Sequence, residues 1–205
     1  MKANDLPKLT YGKKAEDKPG VLEHWLQRIQ LDLGGTHHLI DNYWTMVMYA
    51  VQGTYQAYLM AGPLDRPSIR PLQPQEAFAT EEMQVKFANF GLELNVLNFH
   101  SCELRLRALL LELIPAGIRS SCLSTRQTST IDVLFSCIVD AGPGTGTDKD
   151  YTLGEVSCGK AVPVGEVHDE LQKWKFACTR LATLNVHAPD PSVQLKTLKV
   201  MTVRT

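Results

Sequence analysis

Apolar residues recur along most of this chain at three- and four-residue intervals, the spacing that lines one face of an α-helix. Leu22, Trp25, Leu26, Ile29 and Leu33 form the first such stripe. It predicts a helix over residues 21–33 that Gly34 and Gly35 stop. A second stripe runs from about Asp41, a candidate N-cap, to Met60 through Trp44, Val47, Met48, Val51, Tyr55 and Tyr58. Gly53 weakens that helix by roughly 1 kcal/mol relative to alanine. Residues 76–98 resume the pattern through Phe78, Met83, Phe87 and Phe90, with Gly91 as a break. Ser101 is placed to cap a helix that ends before Pro115. That helix carries Leu104, Ala108, Leu109 and an apolar run from Leu111 to Ile114, so it is expected to be central and buried. A short segment, residues 118–123, follows. Thr128 or Ser129 then caps a helix bearing Ile131, Leu134, Phe135 and Ile138. The most regular stripe, Val167, Leu171, Trp174, Cys178 and Leu181, predicts a helix over residues 165–186. Asp190 and Pro191 open a last helix as N-cap and N1.

Alternating apolar and polar residues are scarce, and no Asn-Gly hairpin turn occurs. The expectation is an all-α fold of about eight helices in two lobes. Residues 1–20, which include Pro7, Gly12, Pro19 and Gly20, read as an extended arm that Leu6, Leu9 and Tyr11 pin to a neighbouring surface. Residues 21–141 form the larger lobe, the glycine-rich stretch 142–150 a flexible linker, and residues 151–205 a C-terminal helical lobe. The proline-rich stretch 62–75 is the alternative boundary. The core anchors expected from the stripes are Trp25, Trp44, Leu109, Leu113, Leu171 and Trp174.

Composition narrows the function. A chain of 205 residues with 44% apolar content can bury a sizeable core. Its net charge of −1 gives no general attraction to nucleic acid or anionic membranes. No apolar run approaches the ~20 residues that span a bilayer, and the start, Met1 to Lys8, lacks the apolar region of a signal peptide. The expected location is cytoplasmic, with no membrane partner. Cys102, Cys122, Cys137, Cys158 and Cys178 are odd in number and widely spaced, which fits free, buried thiols in a reducing compartment.

The residues with potential chemistry favour structural roles. Gly142, Gly144 and Gly146 suggest a phosphate loop, but Lys149 is flanked by Asp148 and Asp150, which repel phosphate. Asp140-Ala141-Gly142 lacks the hydroxyl of an aspartic-protease Asp-Thr/Ser-Gly turn. His100 lies near Cys102, without a nucleophile turn around them. His37-His38 has no partner at metal-ligand spacing. No catalytic residue, cofactor or metal is therefore expected. Lys173, Lys175 and Arg180 are read as the polar face of their helix, preceded by Glu166, Asp169 and Glu170 in accord with the helix dipole.

Three segments together resemble Gag of copia-type long-terminal-repeat retrotransposons. The first is Leu6-Pro7-Lys8-Leu9-Thr10-Tyr11-Gly12 with Leu22-Glu23-His24-Trp25-Leu26, similar to an extended arm before a Trp-bearing first helix. The second runs from Leu109-Leu110-Leu111-Glu112-Leu113-Ile114-Pro115 through Ile118-Arg119 to Thr128-Ser129-Thr130-Ile131-Asp132-Val133-Leu134. The third is His168 to Lys175, then Arg180-Leu181-Ala182 and Pro189-Asp190-Pro191. The resemblance implies a non-enzymatic, capsid-like helical protomer, truncated or stand-alone, that self-associates around element RNA. With no Cys-x2-Cys-x4-His-x4-Cys knuckle and no basic tail, RNA is expected as a weak partner. The candidate assembly face is Lys173, Lys175 and Arg180, on the helix after the linker. The alternative is a monomeric, domesticated Gag-like module that binds a protein or peptide in a helix-lined groove.

Overall fold

A computed structural model of the chain describes residues 6–12, 14–35, 37–62, 64–89 and 96–202. Among these residues the regular structure is entirely helical. The α-helices are α1 (Lys18–Gly34), α2 (His38–Met60), α3 (Pro74–Ala79), α4 (Glu81–Asn89), α5 (Val96–Leu113), α6 (Ala116–Thr125), α7 (Thr130–Ala141), α8 (Gly146–Ser157), α9 (Val167–Thr183) and α10 (Pro191–Thr202). Several begin earlier than the apolar pattern predicts, because first turns are shaped by caps rather than by stripes. Pro19 sits in the first turn of α1, where its missing N–H has no helical partner to lose. The arm therefore ends before residue 18. His37, not Asp41, caps α2: its Nδ1 accepts the Leu39 N–H at 3.2 Å. Asp41 lies instead in the first turn, where a carboxylate suits the dipole. Ser101 is interior to α5 rather than its cap. The 76–98 pattern breaks at Thr80, whose extended backbone ends α3 and whose carbonyl accepts from Gln84 N–H in α4. Phe90 and Gly91 lie outside the described residues.

The chain divides into two units, Met1–Pro143 and Gly144–Thr205. The expected flexible linker over 142–150 is mostly helix. Gly142 takes a left-handed conformation (φ 64°) that suits glycine and closes α7. Thr145 then caps α8 by accepting from Asp148 N–H, so residues 146–150 are its first turn. The alternative boundary at 62–75 falls inside the first unit. Of its described prolines, Pro67 sits in a 3-10 turn (Arg66–Ser68) and Pro74 begins α3.

In the first unit α7 is the central element; it packs against α1, α2, α5 and α6. Ile131, Val133, Leu134, Cys137 and Thr130 are fully buried on it, and Asp132 nearly so. Burying each large aliphatic side chain stabilises by ~1.5–3 kcal/mol. The expectation that the 101–114 helix is central is corrected: α5 buries Leu106, Leu109, Leu110 and Leu113 but leaves Leu104 43% exposed. Trp25, Trp44, Leu109 and Leu113 are buried as expected. Tyr43, fully buried, meets Phe78 and Phe99 edge-on and donates its O–H to Glu103. The other oxygen of Glu103 accepts Thr130 N–H at 3.0 Å, so one carboxylate links α2, α5 and the start of α7. Burial first, then the Glu103 charge, pushes the Tyr43 phenol well above its ordinary range, which keeps it a hydrogen-bond donor.

The arm is anchored as the apolar positions predict. Leu6 and Leu9 are buried and Tyr11 packs partly against the core. The Leu9 N–H donates to Leu113 O at 2.8 Å, and the Trp25 indole N–H donates to Pro7 O at 2.8 Å.

In the second unit α8, α9 and α10 pack on one another. Val156, Ala177 and Leu181 form its small core, with Trp174 half-buried and its indole N–H on Val156 O at 3.2 Å. Leu171, expected as a core anchor, is only half-buried, because so small a core covers one side of α9. At Gly159 a Cβ would lie 2.5 Å from Thr197 O, so only glycine allows this approach to α10.

Trp25→Phe is expected to lower stability by about 1–2 kcal/mol, the loss of one hydrogen bond to a part-buried carbonyl. Amide exchange at Leu9 should rise with it. Unchanged exchange at Leu9 in urea-titrated samples would mean that the arm is held by its leucines alone.

Candidate assembly surface

Helix α9 carries the three basic residues singled out by the sequence, and the structure separates them. An α-helix turns about 100° per residue. Lys173 and Lys175 therefore point about 200° apart and share no face. Lys173 bridges to Glu170 at 3.2 Å and remains mostly in water; Lys175 is exposed. On the outward side, Phe176 is 41% exposed among polar neighbours.

Arg180 is not on the surface at all. It is 6% exposed and belongs to the same side of α9 as Ala177 and Leu181. Its Nη2 donates to Asp148 Oδ2 at 2.8 Å, and its Nη1 donates to Thr152 Oγ1 at 2.9 Å. Nη1 also lies 2.8 Å from Asp148 Oδ1. Asp148 Oδ2 further accepts the Gly144 N–H at 2.8 Å, and Thr152 donates back to Asp148 O. A buried guanidinium is tolerable only with such partners, since an unpaired charge out of water costs several kcal/mol. This correction removes Arg180 from the candidate face and makes it the bolt between α8 and α9. Asp148 gave no sequence signal as its partner, because it lies 32 residues away in a stretch read as linker. The usable hint was Arg180 standing three residues after Ala177 and next to Leu181.

Large apolar side chains in water are more telling than the lysines. Met60, Leu64 and Leu72 are 84%, 94% and 52% exposed, and all three belong to the end of α2 and the connection that follows. Leu31 on α1 and Leu123 on α6 are also exposed.

The cysteines divide by burial. Cys102, Cys122 and Cys137 are buried and free, whereas Cys158 is exposed, which corrects the expectation that all five are buried. Burial pushes the Cys102, Cys122, Cys137 and Cys178 thiols up, away from the reactive thiolate. The Cys102 thiol faces Leu39 O while His100 is exposed, so these two make no nucleophile–base couple. His37 and His38 stack on each other at 4.6 Å, and no group of three or more potential metal ligands occurs among the described residues.

Against known proteins, no family model, curated protein or solved structure matches this chain.

Arg180→Ala should destabilise the second unit by roughly 3–5 kcal/mol by stranding the Asp148 carboxylate. Calorimetry should show the loss in that unit's transition, and pairing Arg180→Met with Asp148→Asn should restore part of it. An unchanged transition in the single variant would contradict the buried pair. In the native protein a thiol reagent at mildly alkaline pH is expected to label Cys158 rapidly, Cys178 slowly, and Cys102, Cys122 and Cys137 only on unfolding. Equal labelling of all five in the folded protein would overturn that order.

Proposed function

We propose that the chain is a non-enzymatic structural protein, capsid-like and resembling copia-type retrotransposon Gag, that self-assembles and contacts element RNA weakly. The reading rests on where the first unit leaves apolar surface. Met60, Leu64 and Leu72 stand in water within one connection. Isolated exposed leucines are ordinary, but several within thirteen positions concentrate the gain available from covering them with a second copy. A contact repeated between copies builds closed or open assemblies according to its rotation.

The resemblance adds support through packing. The arm and the Trp-bearing helix that carry its first segment are joined by the Trp25–Pro7 bond. The arm is joined to the leucine-rich second segment by the Leu9–Leu113 bond. The Thr-Ser-Thr-Ile-Asp part of that segment forms a reciprocal capping box, with Ser129 and Asp132 each accepting from the other's N–H at 3.2 Å. The residues of the first two segments thus interlock within the first unit, while the third segment belongs to the second. The lysines of α9, which share no face, are secondary to the Met60–Leu72 connection as the contact.

Light scattering coupled to size-exclusion chromatography tests this reading across protein concentration and salt, with and without RNA. The mass is expected to rise above one chain with concentration, and Met60→Glu with Leu64→Glu should return it to one chain at unchanged helicity. A wild-type mass fixed at one chain under every condition would refute self-assembly. Growth that survives the double variant would move the contact elsewhere.

A further inference from the structure

The first unit contains an open cleft of about 830 Å³, which the assembly reading does not use. It is bounded by the 66–71 stretch, by the beginning of α6 and by α7. Its apolar lining comes from Phe135, Val139, Ile118 and several prolines. Its size falls within the range of ligand-binding clefts, about 300–1,000 Å³.

The charges in this cleft are unevenly satisfied. Lys18 is paired with Asp140 at 2.9 Å. Asp132 accepts from Ser129 through both its N–H and its hydroxyl. Arg66 and Arg70, by contrast, have no carboxylate within ion-pair distance among the described residues. The Arg66 guanidinium lies 5.4 Å from the centre of the Tyr58 ring, which holds it in place. Its Nε–H is shut off from water with no acceptor among the described residues. Arg70 reaches only the adjacent Ile69 carbonyl, at 3.4 Å. Guanidinium groups donate and never accept, so what these two lack is an acceptor, and a carboxylate fits best.

We propose that this cleft binds a short linear peptide that sets a carboxylate against Arg66 and Arg70 beside a large apolar side chain. Two features favour a peptide over a nucleic-acid strand. With Lys18 taken up by Asp140 and Asp132 adding a negative charge, the cleft offers two cations, which match one or two carboxylates rather than a chain of phosphates. The aromatic rings are also engaged: Tyr58 carries Arg66, stacks with Tyr55 and meets the buried Phe135 edge-on, and Tyr11 lies under Lys18, which leaves no free stacking platform for bases among the described residues of the cleft. An open cleft admits a chain that enters and leaves it. The site lies within one copy, but its 66–71 wall belongs to the same connection as Met60, Leu64 and Leu72, so peptide binding and self-assembly are measured separately.

The test pans a random linear dodecapeptide display library against the immobilised full chain, with an Arg66→Glu/Arg70→Glu variant as counter-target. The expected winners combine Asp or Glu with Leu or an aromatic residue. The strongest, made as a fluorescein-labelled peptide, should lose about tenfold or more in affinity against Arg66→Gln/Arg70→Gln, as expected for lost charge-assisted hydrogen bonds. Added salt should weaken it too. If the glutamine variant loses helicity, Arg66→Lys/Arg70→Lys replaces it and should bind several-fold more weakly at wild-type melting temperature. No enrichment over the bare support, winners without acidic residues, or affinity indifferent to these variants would overturn the proposal. A labelled uridine decamer that binds tightly and loses affinity in the same variants would assign the cleft to nucleic acid instead. These outcomes are read at peptide concentrations where the chain's mass is measured in parallel, so failure here leaves the assembly result standing.

Discussion

Helix α7 is buried along most of its length, and that constraint organises the first unit. A helix surrounded by protein cannot leave its end groups to water, so each must be satisfied from within. At its start, Ser129 and Asp132 cap each other and Glu103 reaches over from α5 to take the Thr130 N–H. At its end, Gly142 turns left-handed and returns its N–H to Ile138 O at 2.8 Å. Glu103 is thereby committed twice, because Tyr43 of α2 also donates to it. Three helices meet at one carboxylate, and the apolar faces of α1, α2, α5 and α6 close around the helix it holds.

The second unit solves a different problem. Three helices of this size offer little apolar area, and only a few aliphatic side chains are fully covered in its main cluster. The Asp148–Arg180 pair adds directional hold where packing is thin. Ion pairs of this kind contribute little net stability over an apolar replacement, yet removing one partner is costly. Their value here is register: the pair sets which turn of α8 faces which turn of α9. The close approach of Gly159 to Thr197 does the same for α10.

Surface chemistry follows from these two cores. Because the apolar stripes are spent on packing, what remains outside is a mixed polar surface with a few conspicuous exceptions. Met60, Leu64 and Leu72 are apolar and wet, and Arg66 and Arg70 are charged without a carboxylate partner among the described residues. All five stand in or beside the proline-rich connection after α2. That stretch is held by short turns and ring packing rather than by a helix, and it is where the functional proposals concentrate.

The helical class, the apolar stripes and a cap at Thr128 or Ser129 were determined by the sequence alone, because each depends on neighbours within a turn or two; the pinned arm and the anchors Trp25, Trp44, Leu109 and Leu113 were legible because large apolar side chains leave water wherever the fold covers them. Helix starts were less legible, since Pro19 and His37 act through first-turn geometry that apolar spacing does not report. What only the tertiary structure decided is which polar residues are surface and which are core. Arg180 reads as one more cation on a charged helix until α8 brings Asp148 to it. The 142–150 stretch reads as linker although Thr145 caps α8 within it, and Arg180 then ties that first turn to α9. Leu171 and α5 look more central in sequence than they are, because a stripe says which side is apolar but not how much protein lies against it. The burial of Arg180 and the exposure of Leu171 and Leu104 rest on contacts between residues far apart in the chain, and no local spacing encodes them.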